Sequence, residues 1–301
     1  MQKITYVKSI EGLSHEVGHI YEHAYIIMCQ DELMSMSIPP YLSADFEGET
    51  FFTTFTDISV DIFDSNNSGI INKLFSSNHG PSKKQLDLAF KQIQCENLAA
   101  AKIIINNSYL QELEDLNSRQ WTPLSKQPLT IGGKRFPSPI VYKKDKTKYK
   151  QALVEIDFGS VKPIEAAVFS RLAYLISSSI SYHSMRSLNA YSDESELLDY
   201  FDRQATLTHK MIVPNNVSKA LIEKEIYNSL KPFVLKDNRS FLAKFFDGWM
   251  ENSYTQKASI NYFRKTGLLF GSETLAKEFK DLDIEKMFNN PKINISLRAS
   301  K

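Results

Sequence analysis

Leu13, Val17, Ile20, Ala24 and Ile27 recur at helical spacing and predict a helix over Leu13 to Met28, one face turned to a core. Further on the period changes to two. Ile58, Val60 and Ile62 alternate with Asp57, Ser59 and Asp61, the signature of a half-buried strand over Phe51 to Phe63, and Asn66, Asn67 and Gly69 end it. A second amphipathic helix is predicted from Lys84 to Ile105, with Leu86, Phe90, Ile93, Ala100 and Ile104 as its stripe.

The pattern then starts again. Val154, Ile156 and Phe158 alternate with Glu155 and Asp157, and Pro163 opens a helix whose apolar residues include Ile164, Ala167, Val168, Leu172, Leu175 and Ile176. A strand over Ala205 to Val213, helices as far as Phe288 and a short last strand at Ile293 and Ile295 complete the second half. Between the halves, Gly132, Gly133, Pro137, Pro139 and the run Lys143-Lys144-Asp145-Lys146 read as loop. The expected organisation is α+β: one module over residues 1–135, a linker over 136–149 and a second module over 150–301. Each module is expected to be a mainly antiparallel sheet with helices packed on one side.

Composition narrows the function classes. With 42% hydrophobic and 24% charged residues, the 301-residue chain has the make-up of a globular protein. A net charge of +1 argues against nucleic acid as a partner. Two cysteines, Cys29 and Cys95, give no disulfide framework. The N-terminal stretch has no apolar run of signal-peptide type, and no run of about 18 apolar residues suggests a membrane span, so a cytoplasmic protein is expected.

The first helix carries the chemistry. His19-Ile20-Tyr21-Glu22-His23 reads H-x-x-E-H, which places two imidazoles one turn apart with a carboxylate beside them. Such a pair can bind one zinc ion, and the Glu can take a proton from a water that the metal activates. The same helix also carries His15-Glu16-Val17-Gly18-His19, the H-E-x-x-H of the zincins, with Glu16 as the base. Helical spacing allows both. A single His on such a face is most often solvated; three His and a Glu together are a metal candidate. The third ligand expected is Glu96, at the flank of the second helix's apolar stripe, where a carboxylate is costly unless paired or metal-bound. His79, His183 and His209 stand alone and read as surface or satisfied core residues.

The order of these features resembles the pitrilysin/insulysin family of inverted-motif zinc peptidases, and within it the compact bacterial relatives of the mitochondrial processing peptidase. His19-Ile20-Tyr21-Glu22-His23 matches its zinc motif, and Gly48-Glu49-Thr50-Phe51-Phe52-Thr53-Thr54 looks like its glycine-led strand. Glu96 stands some seventy residues beyond the second His, like the family's third ligand. Ala152 to Gly159, the helix from Pro163, Met185-Arg186 and Ala190-Tyr191-Ser192 are similar to its C-terminal module. The departures are a shorter spacing between Arg186 and Tyr191, Ala89 where many members carry an additional Glu, and a shortened first module.

The resemblance implies one zinc per chain on His19, His23 and Glu96, with Glu22 as base. Arg186 and Tyr191 would hold the substrate carbonyl, and a peptide would lie extended along Phe52, Thr53 and Thr54. It selects the inverted motif over the zincin one and implies endopeptidase action on short or unfolded peptides, maturation of a ribosomally made precursor being one form. It also implies pairing as a homodimer, or as a heterodimer with a related subunit. The alternative in another class is a non-catalytic, peptide-binding partner subunit of a protease.

Overall fold

The computed structural model describes residues 2–50, 55–77, 79–96, 107–124, 148–198, 204–249, 263–264, 267–288 and 291–299. The chain divides into two compact units, residues 2–145 and residues 146–301 together with Met1. Each is α+β, with an antiparallel sheet and helices.

In the first unit, β1 (Gln2–Ser9) leads into α1 (His15–Ser35) and the short α2 (Pro40–Ser43). Strands β2 (Ala44–Glu49) and β3 (Phe55–Ile62) follow, then α3 (Ser68–Ser76), α4 (Lys83–Glu96), α5 (Asn107–Ser118) and the two-residue β4 (Thr122–Pro123). Among the described residues the sheet order is β2-β3-β1-β4, with every pairing antiparallel. Thr56, Ile58, Val60 and Ile62 of β3 are buried, while the residues between them are half-buried, so one sheet face meets the core. That core joins Tyr6, Val17, Tyr21, Tyr25, Ile58, Val60, Phe75 and Trp121.

The predicted first helix begins at His15 and continues seven residues past Met28, to Ser35. Cys29 and Leu33 carry its buried face onward, which is why it does not stop where the first stripe does. Its N-terminus is held from α5: the Ser14 amide and hydroxyl each donate to Glu112 Oε2 at 2.7 Å, a carboxylate placed where the helix dipole favours negative charge. Of the predicted helix Lys84 to Ile105, the described part is Lys83–Glu96; Ala100 and Ile104 lie outside the described residues, as does most of the predicted linker.

The second unit repeats the order. β5 (Tyr149–Ser160) leads into α6 (Pro163–Leu188), then come β6 (Tyr191–Leu198), β7 (Gln204–Pro214), α7 (Lys219–Val234), α8 (Arg239–Trp249), α9 (Ser272–Asp281), α10 (Ile284–Phe288) and β8 (Lys292–Ala299). Its sheet runs β6-β7-β5-β8, again antiparallel. The strand β6 is not marked by any apolar alternation. No helix among the described residues is long and apolar enough to cross a membrane.

Candidate metal centre

Helix α1 packs on both the sheet and α4, and the candidate site lies where these meet. A small apolar contact of Ile20 with Ile93, flanked by Leu86 and Phe90, joins the two helices. One helical turn beyond each of these residues the interface becomes polar. His19 Nε2 and His23 Nε2 stand 3.0 Å apart, and Glu96 Oε2 is 3.4 Å from the first and 3.3 Å from the second. Glu96 is the last described residue of α4.

These three spacings test whether a metal would fit. Nitrogen and oxygen donors about 2.0–2.1 Å from a tetrahedral ion stand roughly 3.3 Å from one another. The two edges to Glu96 match that value and the His19–His23 edge, at 3.0 Å, is a little shorter. Glu96 Oε2 is also buried without a hydrogen-bond partner of acceptable geometry, an arrangement that a cation between the three atoms would relieve. The residues fit zinc in ligand type and spacing.

The charges agree. Burial works against protonation of His23, but the carboxylates of Glu22 and Glu96 and the Gln92 amide oxygen, which accepts from the ring, raise its pKa to about 9. Burial likewise opposes ionisation of Glu96, yet the imidazoles of His19 and His23 beside it hold its pKa well below the usual carboxylate range. The pocket therefore favours a cation between its donors. His15 lies beside the pair, its ring centroid 6.2 Å from that of His19 at a steep angle, and burial followed by the His19 charge lowers its pKa.

Glu22 is placed differently from Glu96. Its carboxylate lies within 4.8 Å of the imidazole donors, so by proximity alone it too could be a ligand. However, Glu22 Oε2 accepts a hydrogen bond of 2.8 Å from Thr50 Oγ1, whose oxygen is 2.7 Å from Thr56 Oγ1. All three side chains are buried. The Glu22 side chain also packs against Gly48 of β2, where an added Cβ would fall 2.1 Å from Glu22 Oε1. Glu96 Oε2 faces both imidazoles without a hydrogen bond of its own, whereas Glu22 Oε2 is already engaged by Thr50.

The structure thus brings His19, His23, Glu22 and Glu96 together. Phe52, Thr53 and Thr54 lie outside the described residues. Arg186 and Tyr191 belong to the second unit: Arg186, in the last turn of α6, stacks its guanidinium 3.8 Å from the Tyr182 ring centroid, and Tyr191 opens β6 just after the left-handed Asn189. His209 is buried and bonded to Ser192 Oγ at 2.9 Å. Gln92, Thr50, Thr56 and Gly48 were not singled out from the sequence as parts of the site. Gln92 could have been, since it precedes Glu96 by four residues and shares its helix face.

No family model and no curated protein matches the chain. Among solved structures, a protease from Helicobacter pylori is 11% identical at a TM-score of 0.36, over 98% of this chain and 93% of that one. The M16 inactive domain from Pseudomonas fluorescens is likewise 11% identical at 0.36, over 98% and 92%. Pitrilysin is 11% identical at 0.34, over 99% of this chain but 41% of its own length. The ferredoxin protease FusC, solved in complex with Arabidopsis ferredoxin, is 13% identical at 0.33, over 99% and 42%. The chain therefore spans less than half the length of FusC and pitrilysin. Two of these four structures are named as proteases and one as an inactive M16 peptidase domain.

Proposed function

We propose that this chain is a zinc-dependent endopeptidase of the pitrilysin type, acting on short or unfolded peptides. The observation that carries the reading is the convergence of His19 Nε2, His23 Nε2 and a buried Glu96 oxygen at tetrahedral spacing, with a second carboxylate held beside them. Zinc, when bound, would supply Lewis-acid polarisation of the scissile carbonyl and a lowered pKa for the attacking water. His19, His23 and Glu96 would be its ligands.

Glu22 is the general base. Thr50 occupies Oε2, and the carboxylate rests against the Gly48 backbone, so its orientation is fixed before substrate arrives. It takes the proton of the attacking water and passes it to the leaving amine. The Glu16 alternative has less support, because Glu96 addresses His19 and His23 together, the pair used by the inverted motif. The resemblance alone assigns Arg186 and Tyr191 to the substrate carbonyl and Phe52 to Thr54 to an extended peptide. Pairing with a second subunit, and maturation of a small precursor peptide, rest on the same resemblance.

The test is cleavage of an unstructured peptide by the purified chain, with and without a chelator, in the parent and in Glu22→Gln and Glu16→Gln. The reading expects chelator-sensitive cleavage that Glu22→Gln abolishes by about 10²–10⁴-fold and Glu16→Gln spares. Activity surviving in Glu22→Gln but lost in Glu16→Gln would establish the zincin assignment instead. A zinc-loaded parent that cleaves nothing would move the reading to a binding subunit.

A further inference from the structure

Gln92 has no place in the mechanism above, yet its side chain reaches the centre: Gln92 Oε1 lies 3.0 Å from His23 Nδ1. Both Gln92 and Glu96 are on α4, one turn apart, so a single helix delivers a carboxylate to one side of the His23 ring and an amide to the other. An imidazole that binds a metal through Nε2 must carry its proton on Nδ1. In that tautomer the Nδ1–H donates to Gln92 Oε1, and the Nε2 lone pair points towards His19 and Glu96. If the amide were turned so that its NH₂ faced the ring, Nδ1 would become the acceptor. The proton would then sit on Nε2 and close the metal position.

We infer that Gln92 is a positioning residue for the metal centre, fixing the tautomer and ring orientation of His23 by accepting from Nδ1–H. The inference rests on the metal-site reading above. Outer partners of this kind change metal affinity by about 10–100-fold when removed. Gln92 accepts here but is not required to donate. A carboxylate at this position, which can only accept, therefore does the same work and adds negative charge behind the ligand. The neighbouring half of α4 is held independently by Ile93 on Ile20 and by Gln85 Nε2 donating to Asp31 Oδ2 at 3.0 Å, so the helix does not depend on Gln92 for its place.

The experiment is zinc dissociation measured by chelator competition for the parent, Gln92→Leu and Gln92→Glu, alongside melting of each metal-free protein. Gln92→Leu is expected to bind zinc about 10–100-fold more weakly with its metal-free melting unchanged, and Gln92→Glu to bind at least as tightly as the parent. Equal affinity in the parent and Gln92→Leu overturns the inference while leaving the metal site intact. Equal weakening in both variants overturns it too, because an acceptor alone would not then suffice. A parent that binds no zinc overturns the metal-site reading itself, and this inference with it.

Discussion

The two units of this chain share one strand order and differ in what their first long helix carries. In the first the sheet runs β2-β3-β1-β4 and in the second β6-β7-β5-β8, each with a long helix directly after its opening strand. Counted from the first residue of each helix, the fifth, eighth and ninth positions are His19, Glu22 and His23 in α1 but Ala167, Ser170 and Arg171 in α6. Arg171 is buried like Glu22, and it donates to Ala167 O at 3.0 Å and Ser170 Oγ at 2.7 Å, closing on its own helix. The packing helix differs as well. Helix α4 offers Glu96 to a neighbour's nitrogens, whereas α6 and α7 are joined by Ser179 Oγ donating to Ser229 O at 2.7 Å. One layered arrangement thus serves as scaffold in both units, and among the described residues a handful of side chains sets the candidate metal centre of the first apart from the second.

The largest test of this contrast gives α1 the residues of α6. His19→Ala combined with His23→Arg is expected to abolish zinc binding and peptide cleavage, read as metal content and turnover, while the reverse control Ser170→Ala leaves both unchanged. Next in size is Gly48→Ala. Its Cβ would fall within 3 Å of the Glu22 carboxylate and would push that flexible end aside rather than break the sheet. We expect cleavage to fall by about 10²-fold with zinc content retained, as for a small misplacement of a reacting group. An unchanged kcat would show that Glu22 is not held as described. Ile93→Ala removes the apolar contact that joins the ligand-bearing helices, at a cost of about 2–5 kcal/mol in chemical denaturation. It should weaken zinc binding in parallel.

The smallest effect concerns Lys8, which β1 turns into the core. Its Nζ donates to Tyr21 Oη and Leu116 O, both at 3.0 Å, and lies over the rings of Tyr21, Trp121 and Tyr25 at 4.6, 5.2 and 5.7 Å. Burial, and after it the charge of Arg119, lowers its pKa from 10.5 to about 7. Between those values the unfolded chain holds the proton that the folded one has released, so this group makes stability rise with pH from about 7 to 10.5. The slope is at most about 1.4 kcal/mol per pH unit. In the metal-free protein His23, raised to about 9, works in the opposite direction as pH climbs from 6.5 through 9. The quantity to follow is therefore the difference between parent and Lys8→Met over that range, which should grow in the parent's favour as pH rises. A constant difference would mean that Lys8 does not release its proton there.

Lys8 also explains why part of the fold could not be read from the chain. Strand β1 buries Tyr6 and Lys8 on one face, and a lysine at a core position breaks the apolar alternation that marks a strand. The aromatic rings around it and the Leu116 carbonyl make that position tolerable, and they come from other segments of the chain. Strand β6 escaped for another reason. It lies at the sheet edge and is held by main-chain pairing to β7, with Asp193, Glu194, Ser195 and Glu196 along its length. By contrast, α1, β3, β5 and α6 were legible because their buried faces repeat at the period of the element.

Within the candidate site, the HxxEH stretch was legible because its spacing puts two imidazoles and a carboxylate on one helix face, and Glu96 because a carboxylate stood at the flank of an apolar stripe. Thr50, Thr56 and Gly48 could not, since their contribution is to press against Glu22 from strands that meet α1 only once the chain has folded.

In the proposed zinc site Glu96, rather than His15, completes the donor set with His19 and His23. Zinc content per chain of the purified parent, Glu96→Gln and His15→Ala tests it most directly. About one zinc is expected in the parent and in His15→Ala, with a large loss in Glu96→Gln. No zinc in a metal-replete parent, or zinc lost with His15→Ala and kept with Glu96→Gln, would contradict it.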